Sequence, residues 1–185
     1  MRTGRNNKNG GFSLVELIIV IAIMAIVVTV MGLSVGTLTG RKVAKCADEI
    51  VSTLERARVL TLGKEQNQVE FLLLEDGNGE YHAQIYQGGS MVTDRVVGKK
   101  PIEIEIEFSD GSTYELGSIG GEPPYATIPE TGLHLVFDRS SGAFSQNTNK
   151  VGSDVKLYCN KITVSNGTRT ITITTVGRTG KILKK

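Results

Sequence analysis

The chain has 185 residues, with 21 Lys and Arg against 19 Asp and Glu. A formal net charge of +2 excludes the overall basic field of a protein that coats nucleic acid, so any such binding must come from a local patch. No Trp, 5% aromatic residues and 22 glycines suit many short strands and turns in one modest domain.

Residues 1–11 form a short leader whose only charges are Arg2, Arg5 and Lys8, closing on Gly10-Gly11. From Phe12 to Gly36 the chain is apolar at membrane length and carries one charge, Glu16. An ionised side chain at mid-helix costs roughly 2.5–3.5 kcal/mol, less near an end, while each Leu, Ile or Val returns roughly 0.3–0.6 kcal/mol. The segment therefore inserts, but its acid needs a partner. A cut between Gly11 and Phe12 would create an α-amino group one helical turn before Glu16, and a first-turn carboxylate also suits the positive end of the helix macrodipole. The basic leader holds the N-terminus in the cytoplasm, so the rest of this single-pass chain lies outside it. No Ala-x-Ala site follows the apolar run, which favours cleavage ahead of the span and retention of the anchor. The plain alternative is a signal anchor with Glu16 at headgroup level.

Gly10-Gly11, then Phe12-Ser13-Leu14-Val15-Glu16-Leu17-Ile18 and an unbroken apolar helix, resemble the type IV prepilin family, including the pseudopilins of type II secretion and DNA uptake. The resemblance implies that a prepilin peptidase cuts after Gly11 and methylates the nitrogen of Phe12. Glu16 would then neutralise the Phe12 amine of a neighbour as helices stack into a filament. The implied partners are the peptidase, other pilin or pseudopilin subunits, an inner-membrane assembly platform, and membrane lipid before assembly. The implied location is the cytoplasmic membrane, then the pilus or pseudopilus. One departure is the lack of a mid-span proline. Gly32, Gly36 and Gly40 either loosen the helix, each costing roughly 1 kcal/mol relative to Ala, or allow close helix packing.

From residue 37 to 63 the pattern becomes amphipathic. Val43, Ala47, Ile50, Leu54, Ala57 and Thr61 recur at spacings of four and three, with Arg41, Lys45, Asp48, Glu49, Glu55 and Arg56 elsewhere, which predicts a helix with one buried stripe. A single helix from Ser13 to Leu62 would be roughly 75 Å long at 1.5 Å per residue.

After Gly63 the period changes to two. Residues 69–74 and 81–86 read as strands joined by Asp76-Gly77-Asn78-Gly79, a hairpin signal. Ile102, Ile104, Ile106 and Phe108 alternate with Glu103, Glu105 and Glu107, giving one buried face and one wet face. Residues 114–129 read as a long connection, 133–137 as a strand turning at Ser141-Gly142, and 155–165 with 168–176 as closing strands around Asn166-Gly167. The expectation is an α+β, pilin-like fold: leader 1–11, transmembrane half-helix 12–36, amphipathic half-helix 37–63, and an extracytoplasmic antiparallel β domain 64–185 packed on the helix.

Leu54-Glu55-Arg56-Ala57-Arg58 followed by Val69, then Leu135-Val136-Phe137 before Gly142, and Ile171-Thr172-Ile173-Thr174-Thr175-Val176-Gly177-Arg178, resemble the GspH/FimT-type minor pseudopilins. Such subunits cap or initiate a filament, and DNA-uptake members are linked to DNA through basic residues after the terminal Gly-Arg. Arg178, Lys181, Lys184 and Lys185 stand there as candidate phosphate contacts; the favoured reading is a solvated tail protecting an edge strand. Cys46 and Cys159 are a candidate disulfide tying helix to sheet, with buried free thiols as the alternative.

No His-Glu-x-x-His, Cys-x-x-Cys or phosphate loop occurs. His82 and His134 fall on strands, as surface or core residues. Asp76 to Glu80 alternates oxygen ligands as a calcium loop does, but lacks the later glycine and glutamate, so it reads as a hairpin turn. The expectation is a structural subunit rather than an enzyme, without cofactor or metal, of minor type, serving secretion, DNA uptake or adhesion. The alternatives are a filament-tip DNA-binding subunit and an anchored enzyme or receptor that never assembles.

Overall fold

A computed structural model of the protein describes residues 13–63, 68–145, 149–156 and 158–185, the side chains of residues 30–39 excepted. The helix α1 runs from Leu14 to Leu62. Its first turn closes where the Leu17 N–H donates to the Ser13 carbonyl at 3.1 Å, and it ends at Gly63, whose N–H reaches Val59 and Leu60. The chain divides into two compact units, Met1–Leu38 and Thr39–Lys185.

In the second unit the amphipathic reading of α1 holds. Val43, Cys46, Ala47, Ile50, Leu54 and Ala57 are all fully buried, on a stripe with the 3–4 spacing that a period of 3.6 demands. Thr53 and Thr61 share that face and satisfy their hydroxyls on the Glu49 and Ala57 carbonyls one turn back.

The strands follow in order: β1 (Val69–Glu75), β2 (Glu80–Gln87), β3 (Ser90–Lys99), β4 (Glu103–Phe108), β5 (Thr113–Glu115), β6 (Gly120–Gly121), β7 (Leu133–Val136), β8 (Asn149–Val151), β9 (Asp154–Lys156), β10 (Cys159–Ser165), β11 (Thr170–Val176) and β12 (Lys181–Lys184). Three antiparallel sheets result, ordered β3-β2-β1-β7, β12-β11-β10-β4-β5 and β6-β8-β9. One core joins the α1 stripe to Phe71 and Leu73 of the first sheet and to Ile104, Ile106, Ile162 and Ile173 of the second. The α+β architecture, a helix packed on antiparallel sheet, is the expected one.

Local signals placed the hairpins correctly. Asp76 turns β1 into β2, its Oδ1 accepting the Asn78 and Glu80 N–H groups, and Gly79 takes φ +75° as the tight turn requires. In β4, Ile104, Ile106 and Phe108 are buried while Glu103 and Glu105 are exposed. Asn166 Oδ1 caps the β10–β11 turn through the Thr168 and Arg169 N–H groups.

Four expectations need correction. Residues 155–165 are not one strand: β9 pairs with β8, whereas β10 joins β4 and β11, so the segment changes sheet. The connection 114–129 carries β5, a 3-10 turn at Leu116–Ser118 and β6. β3 was not expected, because its residues are mostly exposed, with Val97 alone buried, so no alternation marks it. The C-terminal segment is not a free tail: β12 pairs with β11 from Ile173↔Lys184 to Val176↔Lys181, and the Lys185 N–H donates to the Thr172 carbonyl at 2.8 Å.

Over the outer face of the first sheet, Leu72 and Tyr86 pack with Ile128 as a small second core. Beside it, His134 and Glu70 are buried and joined, Nδ1 to Oε1, at 2.5 Å. Asn149 fixes β7 here, accepting the His134 N–H on Oδ1 and donating to the His134 carbonyl from Nδ2, both at 2.8 Å. Elsewhere in the domain two glycine turns meet. Arg58 of α1 donates to the Gly142 carbonyl from Nε at 3.1 Å and to the Thr179 carbonyl from Nη2 at 2.9 Å.

Candidate assembly site

Within the first unit, the described side chains from Leu14 to Val28, Glu16 apart, are apolar and exposed on every side of the helix: Leu14 is 73% exposed, Ile26 65% and Val28 67%. A helix apolar all round is stable only when lipid or other protein covers it, since fully burying each Leu, Ile or Val gains roughly 1.5–3 kcal/mol. The charge in this run is Glu16, in the first turn of α1, where the orphan N–H groups of the helix start favour an anion. Among the described residues no helix is long and apolar enough to cross a membrane; the described side chains of the run stop at Thr29. Gly11 and Phe12, the expected cleavage and methylation positions, lie outside the described residues.

Residues 6–32 match the prokaryotic N-terminal methylation motif. The matched span holds Gly10-Gly11, Phe12 and Glu16 at the offsets quoted above, and it supports a type IV pilin-like precursor. A motif of this type implies processing by a prepilin peptidase and assembly with other pilin subunits. It points to a membrane-anchored or pilus-associated structural protein rather than an enzyme. No curated protein and no solved structure matches the chain.

The other expected site residues are spread over the β domain. Arg178, Lys181, Lys184 and Lys185 are exposed, but the Lys184 ammonium is paired with Asp48 of α1, and strand pairing alternates the faces on which successive residues of β12 project. Cys46 and Cys159 are both buried free thiols, and burial pushes each up to about 12. They sit at different levels along β4. Cys46 Sγ packs near Gly98 and Ile102, ahead of β4, while Cys159 pairs with Phe108 at its far end. Six residues of strand at roughly 3.3 Å each separate those levels by about 20 Å, whereas a disulfide needs Cα atoms within roughly 7 Å. The candidate bridge is therefore not formed.

Asp76, Glu80 and His82 bring ligand atoms within 4.8 Å of one another, and could hold a divalent ion. The strand period of two places 80 and 82 on one face, a signal the sequence itself carries. The Asp76 carboxylate is already committed. The Glu80 N–H foremost, then the Asn78 N–H and amide, hold its pKa below the usual carboxylate value. His82 Nδ1 faces Asp94 Oδ1 at 2.9 Å. As a turn brace the cluster is complete. Arg58, which ties α1 to two distant turns, was quoted in the sequence only as part of a motif; its partners lie 84 and 121 residues away, beyond any local pattern.

Proposed function

We propose that this chain is a structural subunit, of minor type, of a type IV pilus or pseudopilus. The observation that carries the reading is the methylation-motif match at residues 6–32 on a helix whose exposed apolar surface holds one acid, Glu16. The precursor is anchored by residues 12–36 with its leader in the cytoplasm, and cut between Gly11 and Phe12. The Phe12 nitrogen is methylated and then pairs with Glu16 of a neighbouring subunit. Low dielectric strengthens that pairing, and leaving either charge buried alone costs roughly 3–5 kcal/mol. A subunit therefore leaves lipid most readily where a neighbour offers the complementary charge. The resemblance of the β domain to GspH/FimT-type subunits favours the minor role.

Mass spectrometry of the protein from cells with an active prepilin peptidase tests the first step; the expected N-terminus is methylated Phe12, and an intact Met1 refutes the reading. Glu16→Ala should insert normally yet fail to enter filaments. Unchanged incorporation of that variant would remove the charge-pairing mechanism while leaving the processing intact.

A further inference from the structure

A cavity of about 340 Å³ opens between α1 and the β3–β4 connection. Val97 and Ile102 contribute a buried apolar floor. Four lysines are among its lining residues, Lys42 and Lys45 from α1, Lys99 at the end of β3 and Lys100 just after it. Lys100 is held by Glu75 at 2.5 Å. Lys42, Lys45 and Lys99 form no ion pair among the described residues, and one carboxylate, Glu80, shares the lining. Three uncommitted cations beside an apolar floor are complementary to an anion that carries an apolar body.

We propose that this cavity seats the headgroup of an anionic phospholipid, taken from the leaflet into which α1 emerges. The inference rests on the anchored reading above and names a lipid partner for it. Lys42 is six residues beyond Gly36, the expected end of the apolar run. That is about 9 Å of helix, and no more than about 20 Å even if extended. The headgroup zone is roughly 5–8 Å deep, and lysine stems reach across such gaps while their hydrocarbon lies on apolar surface. The volume lies in the range of small-molecule sites. The ammonium groups take the phosphodiester, and the floor accepts the glycerol and the first acyl carbons. Free phosphate would use the cations but leave the floor unfilled. Each lysine near an anionic surface favours binding about fivefold, so the three together supply a preference on the order of a hundredfold.

The test uses the full chain reconstituted into bilayers of phosphatidylglycerol and phosphatidylcholine at 1:4, with lipid retained on the released protein counted by native mass spectrometry. The parent should keep phosphatidylglycerol selectively. The Lys42→Gln, Lys45→Gln, Lys99→Gln triple variant, all exposed positions, should lose that preference on the order of a hundredfold. Arg178→Gln, Lys181→Gln, Lys185→Gln, an equal charge change elsewhere, should not. Glu80→Gln should retain more phosphatidylglycerol than the parent. Equal retention by the triple variant and the parent overturns the lipid site. Displacement of the lipid by millimolar inorganic phosphate overturns it in favour of a plain anion site. If alkaline carbonate extracts the chain from the bilayer, the anchored reading itself has failed, an outcome distinct from insertion without selective lipid.

Discussion

The Glu70–His134 pair offers a severe test of how the β domain is held together. Both side chains are nearly inaccessible, at 3% and 2%, with Nδ1 and Oε1 2.5 Å apart. Glu70 Oε2 and His134 Nε2 find no hydrogen-bond partner among the described residues. Replacing His134 by Leu strands a buried carboxylate and should cost about 3–5 kcal/mol. Replacing Glu70 by Leu leaves the buried imidazole without its partner and should cost about 1–3 kcal/mol. If the two act as one unit, the double Leu variant fills the same space without a polar orphan and should lie within about 1 kcal/mol of the parent. The coupling energy of the cycle is then several kcal/mol, well above the few tenths seen for independent sites. The full chain in detergent micelles can be unfolded in urea and followed by pulsed labelling of Cys46 and Cys159, whose buried thiols become reactive only on unfolding. A double variant destabilised by the sum of the single effects would refute the pairing argument.

Other consequences are simpler to measure. At Gly180, with φ +63°, an added Cβ would fall 1.7 Å from the Gly142 carbonyl oxygen; Gly180→Ala should cost about 3 kcal/mol or more by strain and overlap. Gly152→Ala, at φ +60° with open space around it, should cost only about 1 kcal/mol; equal effects in urea would contradict the close approach. Asp138 is held down to about 2 from 3.8, first by the Ser140 hydroxyl and then by Ser141. A depressed carboxylate contributes stability present above pH 3.8 and lost as pH falls through about 2, and carbon NMR titration of its side chain should show that low midpoint rather than one near 4. With both thiols pushed up to about 12, native protein should resist alkylation at pH 8.5 and denatured protein should bind two equivalents of reagent without reductant. Uptake of none would demonstrate a bridge.

Where side chains act on their near neighbours, the chain could be read directly. The α1 stripe follows from a period of 3.6 between Val43 and Thr61, β4 from the alternation of Ile and Glu, and the turns at Asp76–Gly79 and Asn166-Gly167 from residues that cap or bend their own backbone. Glu16 stood out for the same reason, as the lone charge in an apolar run. The misreadings share a different cause. β3 and β12 are edge strands, where exposure removes the pattern, and residues 155–165 change sheet within a run that stays strand-like throughout.

An apolar N-terminal helix with one acid, its amphipathic continuation and an antiparallel domain are all legible from the residues alone, because each depends on periodicity within about twenty residues. Folding in three dimensions supplied the rest. It brought Glu70 to His134 across 64 positions, clasped two turns with Arg58, set Cys46 and Cys159 at separate levels, and gathered lysines from α1 and β3 around one cavity. Such meetings depend on strand order and helix placement, which packing of the whole core selects and no short window of residues encodes.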